Sequence, residues 1–199
     1  MQIGPKYKIA RRLGAPVFEK TQTQKFAQRS ERKGKSHRPR SDYGTQMNEK
    51  QKARMFYAVS EKQFAKYVEQ ALAKKEGNPS VNLFALLETR LDNAVWRAGL
   101  CPTHLAARQA AAHGHFLVNG KRSYVPSLAL KAGDKVTIRE GSKNSKLWND
   151  LETRMQNVQT PDWLSWDGKK HELTIKGKPS NTSTEVLFDL GQVLEFYQR

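Results

Sequence analysis

Apolar positions in the first half of the chain recur every three or four residues, which is the period of an amphipathic helix. The pattern predicts three helices, over residues 47–59, 60–76 and 80–98. Ser60 and Gln63 have the spacing of a capping box, a motif that marks the start of a helix. Gly99 is a typical C-terminal stop. We therefore expect a helical region that ends near residue 98.

A shorter helix and a hairpin are predicted next. Thr103 is a suitable N-cap for a helix over His104–His113. The apolar residues at 116–118 predict a strand, and the Asn119-Gly120 pair predicts a tight hairpin turn because both residues accept positive φ. A closing strand is predicted over 136–139, so this part of the chain combines helices with a small antiparallel sheet.

Two tryptophans lie among turn residues in the last third of the chain. Trp163 and Trp166 are close to Pro161, a context that favours anchors of a small core over stacking on bases. The other predicted elements there are a helix through Leu147, Leu151 and Met155, strands over 171–175 and 186–187, and a helix over 191–197. The fold class predicted for the whole chain is α+β.

The first 45 residues differ in composition from the rest, since they contain only six Leu, Ile, Val or Phe residues. Such a segment buries too little apolar surface to offset its chain entropy, so we predict a disordered or extended basic arm over 1–45. A helical domain is predicted over 46–87, completed by 190–199. An RNA-binding domain is predicted over 88–189, with its helix-hairpin module at 88–140.

The chain has a net charge of +16 and a sequence pI near 10.0, which favours a polyanionic partner such as nucleic acid. This excess of positive charge is distributed unevenly along the chain. Residues 1–41 carry twelve Lys or Arg and two Asp or Glu, whereas the eight positive and eight negative residues of 141–199 cancel. The polyanion is therefore expected against the first two-thirds of the chain.

Several kinds of site have no signature in the sequence. Cys101 is the only cysteine, which excludes an intrachain disulfide framework and predicts a reducing, cytoplasmic setting. No long apolar run predicts a membrane span. Glu88 and Asp92 are the nearest candidates for a catalytic carboxylate pair, but Asp92 is expected to pair with a neighbouring Arg. We predict no enzyme activity, no metal and no cofactor.

Basic and amide side chains on the predicted helices and hairpin have the chemistry that RNA contacts need. Guanidinium groups grip phosphates with paired hydrogen bonds, and amides can contact sugar hydroxyls or base edges in folded RNA. The residues predicted to bind RNA are Lys6, Lys8, Arg11, Arg12, Arg38, Arg40, Lys50, Lys52, Arg54, Arg90, Asn93, Arg97, His104, Arg108, Gln109, His113, His115, Asn119, Lys121 and Arg122.

The segments RLDNAVWRAGL, AARQAAAHGHFLVNGKR and KAGDKVTIRE resemble the RNA-binding module named after small-subunit ribosomal protein four. That module also occurs in pseudouridine synthases and other RNA-binding proteins, so the flanking sequence decides between families. GPKYKIARRLG, SDYGTQMNEKQKARMFYAVSEKQF, PDWLSWD and VLEFYQR resemble the bacterial or organellar ribosomal protein family itself, in the same order along the chain.

The resemblance implies a structural protein of the small ribosomal subunit that binds the five-prime domain of the ribosomal RNA and nucleates assembly. It also implies a neighbour, small-subunit protein five, near the mRNA entry path, and a role in translational accuracy. It further implies that the helix at 191–197 packs on the helical domain. Two alternatives stay open, a repressor that binds mRNA and an RNA-modifying enzyme that carries the same module.

The chain departs from the family pattern at two places. Many members carry cysteines near residues 25–40 that hold a metal or an iron-sulfur centre, whereas this chain has Phe26, Ser30 and His37 there. A basic residue is common in the family near the start of the module's second helix, where this chain has His104. Histidine is mostly neutral at pH 7, which weakens a phosphate contact at that point.

Overall fold

The computed structural model describes residues 3–32, 41–168, 170–179 and 186–199. Its contacts divide these residues into two compact units, one of 3–83 with 186–199 and the other of 84–179. The helices are α1 Lys6–Leu13, α2 Gln24–Arg32, α3 Asp42–Phe56, α4 Glu61–Ala73, α5 Pro79–Glu88, α6 Leu91–Arg97, α7 His104–Ala112, α8 Leu151–Asn157 and α9 Leu190–Tyr197. The strands are β1 Phe116–Val118, β2 Lys121–Arg122, β3 Lys135–Ile138, β4 Leu164–Asp167 and β5 Glu172–Ile175.

Helix α9 packs on α3 in the first unit. The Tyr43 and Phe196 rings lie 5.5 Å apart, and Gln46 Nε2 donates to Glu195 Oε2 at 2.9 Å. Asp189 caps α9 by accepting hydrogen bonds from its first backbone amides. A short C-terminal helix of this kind is stable because it buries one face on a longer neighbour.

The expected extended arm is wrong for residues 3–32, which contain α1, a 3₁₀ turn at Glu19–Thr21 and α2. Ala10, Leu13, Val17 and Phe18 are buried together, with Met55 of α3 packed against them. Apolar residues this sparse suffice because they converge at the end of α1 and on a neighbouring helix, an arrangement that composition does not reveal.

The second unit is built on a five-stranded antiparallel sheet with the strand order β2-β1-β3-β5-β4. Val136 and Ile138 of β3 and Leu173 and Ile175 of β5 all lie on the buried face of the sheet. These residues share one core with α6, α7 and α8. The predicted α+β class with a small antiparallel sheet is confirmed.

The single helix predicted over 80–98 is interrupted at Thr89 and Arg90, between α5 and α6. Arg90 is extended, with φ −65° and ψ 142°, and it forms a β-bridge with Ala129. Leu130 donates a backbone hydrogen bond to Thr89, and Leu91 donates one to Leu128. Backbone hydrogen bonds to residues about forty positions away override the local helix propensity, so the prediction was wrong at this point.

The hairpin prediction is confirmed. Asn119 has φ 50° and Gly120 has φ 77°, as a tight turn with two left-handed residues requires. Thr103 also caps α7 as expected, since its hydroxyl accepts from the Ala106 amide at 3.1 Å.

Two predictions for the last third of the chain need correction. Residues 186–187 form no strand, because the described chain there leads directly to the cap of α9. Residues 164–167 form β4, a strand that was not predicted. Trp163 is 8% exposed in the core that β4 covers, as expected for an anchor. None of the described helices is long and apolar enough to cross a membrane.

Candidate nucleic-acid interface

A buried ion pair lies at the break between α5 and α6. Arg90 is 1% exposed, and its guanidinium grips Asp92 with two hydrogen bonds, of 2.9 Å from Nε and 2.6 Å from Nη2. Asp92 Oδ1 also accepts from the Asn93 backbone amide at 3.0 Å. The expected pairing of Asp92 is confirmed. Arg90, however, is inside the unit and not on its surface, so the expectation that it contacts RNA is corrected.

A second buried carboxylate, Glu88, lies at the end of α5, before the break. Glu88 is 0% exposed and accepts from Arg97 at 2.8 and 2.9 Å and from Asn93 Nδ2 at 2.7 Å. Asn93 is itself 1% exposed, so its predicted contact with RNA is also corrected. Arg97 has 12% of its side chain exposed, and its donors are directed at Glu88. These residues hold α5 and α6 together.

His104 is buried under the same helices, at 8% exposure, with its ring stacked 3.7 Å from Trp96. Burial lowers the pKa of His104 well below its ordinary value, and the nearby charges of Arg97 and Arg90 lower it further. The ring is therefore neutral at pH 7 and covered by protein. The predicted RNA contact by His104 is therefore corrected, because this side chain packs inside the unit.

This low pKa predicts a pH-dependent stability. The unfolded chain takes up a proton near pH 6.5 whereas folded His104 does not, so the free energy of unfolding is unaffected above that pH and falls below it, by at most about 1.4 kcal/mol per pH unit. His104→Phe keeps the stacking and removes this contribution. Urea unfolding at pH 7.5 and pH 5.5 should show a smaller loss of stability in the variant. Equal losses in both proteins would contradict the account.

The exposed face of α7 and the hairpin brings several predicted residues together. Gln109 of α7 and His113, the residue that follows this helix, are exposed, as are Lys121 and Arg122 of β2. Arg108 has 30% of its side chain exposed, and its guanidinium forms an ion pair with Asp92 at 3.6 Å. This surface, which we call the α7-hairpin face, is defined by Arg108, Gln109, His113, Lys121 and Arg122.

Asn119 has a structural role within this hairpin. Its Nδ2 donates to Asp134 Oδ1 at 2.8 Å, and its Oδ1 accepts from the Lys135 amide at 2.9 Å. Both ends of the side-chain amide thus fix the turn against the loop before β3. The exposed turn remains a candidate RNA contact through its backbone, but the amide has protein partners.

His115 lies beside this face, with its ring 6.1 Å from that of His113 and nearly parallel to it. Partial burial lowers the pKa of His115, and the charges of His113, Arg139 and Arg122 lower it further. Its Nδ1 lies 2.9 Å from Ser142 Oγ. His115 is therefore suited to hydrogen bonding as a neutral ring, and it is a weak counter-charge for phosphate.

Tyr124 is a functional candidate that the sequence reasoning missed. It is 54% exposed, and the Arg122 guanidinium lies 4.5 Å from the centre of its ring. An aromatic residue two positions after an arginine in a hairpin was the available signal, because alternate residues of a strand lie on the same face.

The predicted residues in the first unit divide into two groups. Lys8, Arg11 and Arg12 are exposed on α1, and Lys6 is half-buried over the Phe18 ring. The second group lies on α3 and forms hydrogen bonds within the protein. Arg38 and Arg40 lie outside the described residues, as does His37. Of the described residues of this unit that were predicted to contact RNA, the exposed ones therefore lie on α1.

The predicted outward orientation of the basic residues on α3 is corrected. Lys50 is 6% exposed and pairs with Glu61 at 2.7 Å, while Lys52 pairs with Glu49 at 2.6 Å. Arg54 lies 3.5 Å from Glu61. They tie α3 to its own residues and to the start of α4, and the Lys50 ammonium also lies 4.3 Å from the Phe196 ring centre.

An acidic groove lies between the start of α3 and α9. It is lined in part by Asp42, Asp189 and Glu195. Gln46 also lines it, is 8% exposed, and has a buried side-chain oxygen with no hydrogen-bond partner in the described chain. With three carboxylates and one arginine, Arg199, in its lining, the groove suits a donor-rich partner better than phosphate.

The buried thiol of Cys101 has a pKa raised to about 12 by burial, so it is not a nucleophile. Within the described ranges, no cluster of three His, Cys, Asp or Glu side chains has the arrangement of a metal site.

Comparison with known proteins relates this arrangement to a family. Residues 2–88 match the family model described as the ribosomal protein S4/S9 N-terminal domain, and residues 89–136 match the S4 domain. The chain is 41% identical over 166 residues to small ribosomal subunit protein uS4A of Alkaliphilus metalliredigens, covering 83% of this chain and 79% of that protein.

Two further relatives match along almost the whole length. Small ribosomal subunit protein uS4 of Paraburkholderia xenovorans is 37% identical in an alignment 204 residues long that covers 99% of this chain and 98% of that protein. The uS4 protein of Burkholderia cenocepacia is 38% identical in an alignment 206 residues long, with the same coverage of 99% and 98%. With identity of this level over both units, the chain belongs to the uS4 family of small ribosomal subunit proteins.

Proposed function

We propose that the chain binds the five-prime domain of small-subunit ribosomal RNA directly and nucleates assembly of the subunit, as a structural and not a catalytic component. The observation that carries this proposal is the separation of charge in the second unit. Glu88 and Asp92 are buried against arginines, whereas Lys121 and Arg122 remain exposed. The α7-hairpin face is therefore positive even though the sequence around it contains carboxylates.

The recognition proposed is mainly of shape. Lysine and arginine side chains neutralise phosphates and set the orientation of the protein, while Gln109 is placed to contact sugar hydroxyls or base edges. The buried ion pairs keep α6 and α7 rigid, so that the exposed groups meet a folded RNA without large ordering costs. The exposed cations of α1 add a second set of phosphate contacts.

Hydroxyl-radical footprinting on intact small-subunit ribosomal RNA tests this function. We expect protected nucleotides to concentrate in the five-prime domain. Protection that is scattered over the RNA would reject the proposal. Tight binding to the chain's own message with no protection of ribosomal RNA would favour the alternative role as a translational repressor, and conversion of a uridine would favour the modifying enzyme.

A protein neighbour is proposed at the acidic groove. Asp42, Asp189 and Glu195 would repel phosphate, but they suit a basic segment of another ribosomal protein, and the resemblance stated above names small-subunit protein five for this role. Contact with that neighbour near the mRNA entry path would link the chain to translational accuracy. The support is the excess of carboxylates in the groove, whose lining holds three acidic side chains and one arginine, Arg199.

A further inference from the structure

Tyr124 has more exposed area than a core aromatic residue and lies next to the most basic part of the second unit. It is 54% exposed and follows β2, which carries Lys121 and Arg122. Large aromatic side chains are usually buried when they serve only the core. The residues around this ring hold it in place although most of it faces solvent.

One face of the Tyr124 ring is covered by a guanidinium that is itself fixed. Arg122 Nε donates to the Gly114 carbonyl at 2.9 Å, and Nη2 donates to the His113 carbonyl at 3.1 Å. The guanidinium carbon lies 4.5 Å from the ring centre. Because two hydrogen bonds set the plane of Arg122, the ring rests on a rigid support, and the opposite face is the one that solvent reaches.

The Tyr124 ring also packs closely against Gly114. A Cβ atom at this position would lie 2.7 Å from Tyr124 Cε1 and 2.6 Å from Arg122 Nε, closer than side chains tolerate. Gly114 also has φ 68°, which favours glycine. Because Gly114 has no side chain, the Arg122 guanidinium and the Tyr124 ring can both pack closely against its backbone.

We propose that Tyr124, supported by Arg122 and Gly114, is a preformed platform on which an unpaired nucleobase stacks. The proposal rests on the RNA-binding function proposed above and adds a site to it. A nucleotide matches the surroundings because it brings a flat ring for Tyr124 and a phosphate for Arg122 at the same time. Bases stack on such rings with little sequence preference, since every base has a π-face.

The first test compares Tyr124→Leu with Tyr124→Phe in filter binding to the five-prime-domain RNA. Leucine removes the aromatic face, and we expect affinity to fall about five- to hundredfold with the salt dependence unchanged. Phenylalanine keeps the ring and should bind within about twofold of the wild type. If the leucine variant binds as tightly as the wild type, the platform is refuted while the general RNA-binding function stands.

A second readout does not depend on ribosomal RNA. A short mixed-sequence single-stranded RNA containing 4-thiouridine is photocrosslinked to the full chain, and the crosslinked peptide is identified by mass spectrometry. A crosslink at Tyr124 that weakens in Tyr124→Leu supports the platform even if binding to the five-prime domain fails. Crosslinks confined to other segments overturn it. As a control, both variants should have the same Tm as the wild type, which would show that the second unit remains folded.

Discussion

Replacing Asp92 with alanine is expected to destabilise the second unit by about 3–5 kcal/mol, because it leaves the Arg90 charge buried without its partner. Arg90 is 1% exposed, and its guanidinium donates two hydrogen bonds to this carboxylate. For a unit of this size, such a loss lowers the Tm by more than about 10 °C. Urea and thermal unfolding of the full chain, followed by tryptophan fluorescence, measure it.

Two control variants make this result specific. Glu140 pairs with Lys143 at the surface, with 84% of its side chain exposed, so Glu140→Ala should change stability by no more than about 1 kcal/mol. The double variant Arg90→Met/Asp92→Leu removes both charges and should recover most of the stability that Asp92→Ala loses. A loss below about 1 kcal/mol in Asp92→Ala would show that the pair does not hold the unit together.

The affinity for RNA is expected to fall steeply with salt. Phosphate contacts release counterions, and a protein with about six such contacts loses about 10³ in affinity between roughly 50 and 200 mM salt. The exposed cations of α1 and of the α7-hairpin face provide contacts of this number. Filter binding to the five-prime-domain RNA over a series of KCl concentrations gives the slope directly.

A matched pair of lysine variants locates the effect. Lys121→Gln removes an exposed charge at the hairpin and should reduce the slope of the log–log salt plot by about one unit. Lys66→Gln removes an equally exposed charge on α4, away from the predicted contacts, and should leave the slope unchanged. Equal effects of the two variants would mean that net charge, and not the α7-hairpin face, drives binding.

Local signals in the sequence predicted local features well. The Thr103 cap and the Asn119-Gly120 turn are each decided by a few adjacent residues, and both are confirmed. The interruption of the helix at Arg90 was missed because its backbone partners, Leu128 and Ala129, are about forty residues away. Non-local pairing of this kind leaves no trace in helical periodicity.

The candidate site shows the same limit in its side chains. Arg90, Arg97 and Lys50 have the chemistry of RNA contacts, but each donates to a carboxylate within its own unit. Charge patterning predicts that positive residues are present and does not predict which of them are neutralised by folding. Tyr124 illustrates the converse, because its exposure depends on how Gly114 and Arg122 pack against it.

Footprinting with a matched variant shows whether the exposed cations of the α7-hairpin face bind the five-prime domain. Wild-type chain and a Lys121→Gln/Arg122→Gln variant are compared on the same small-subunit ribosomal RNA, at equal saturation. We expect both proteins to protect the five-prime domain, with specific nucleotides losing protection only in the variant. Identical footprints for the two proteins, or wild-type protection outside the five-prime domain, would contradict this role of the exposed cations.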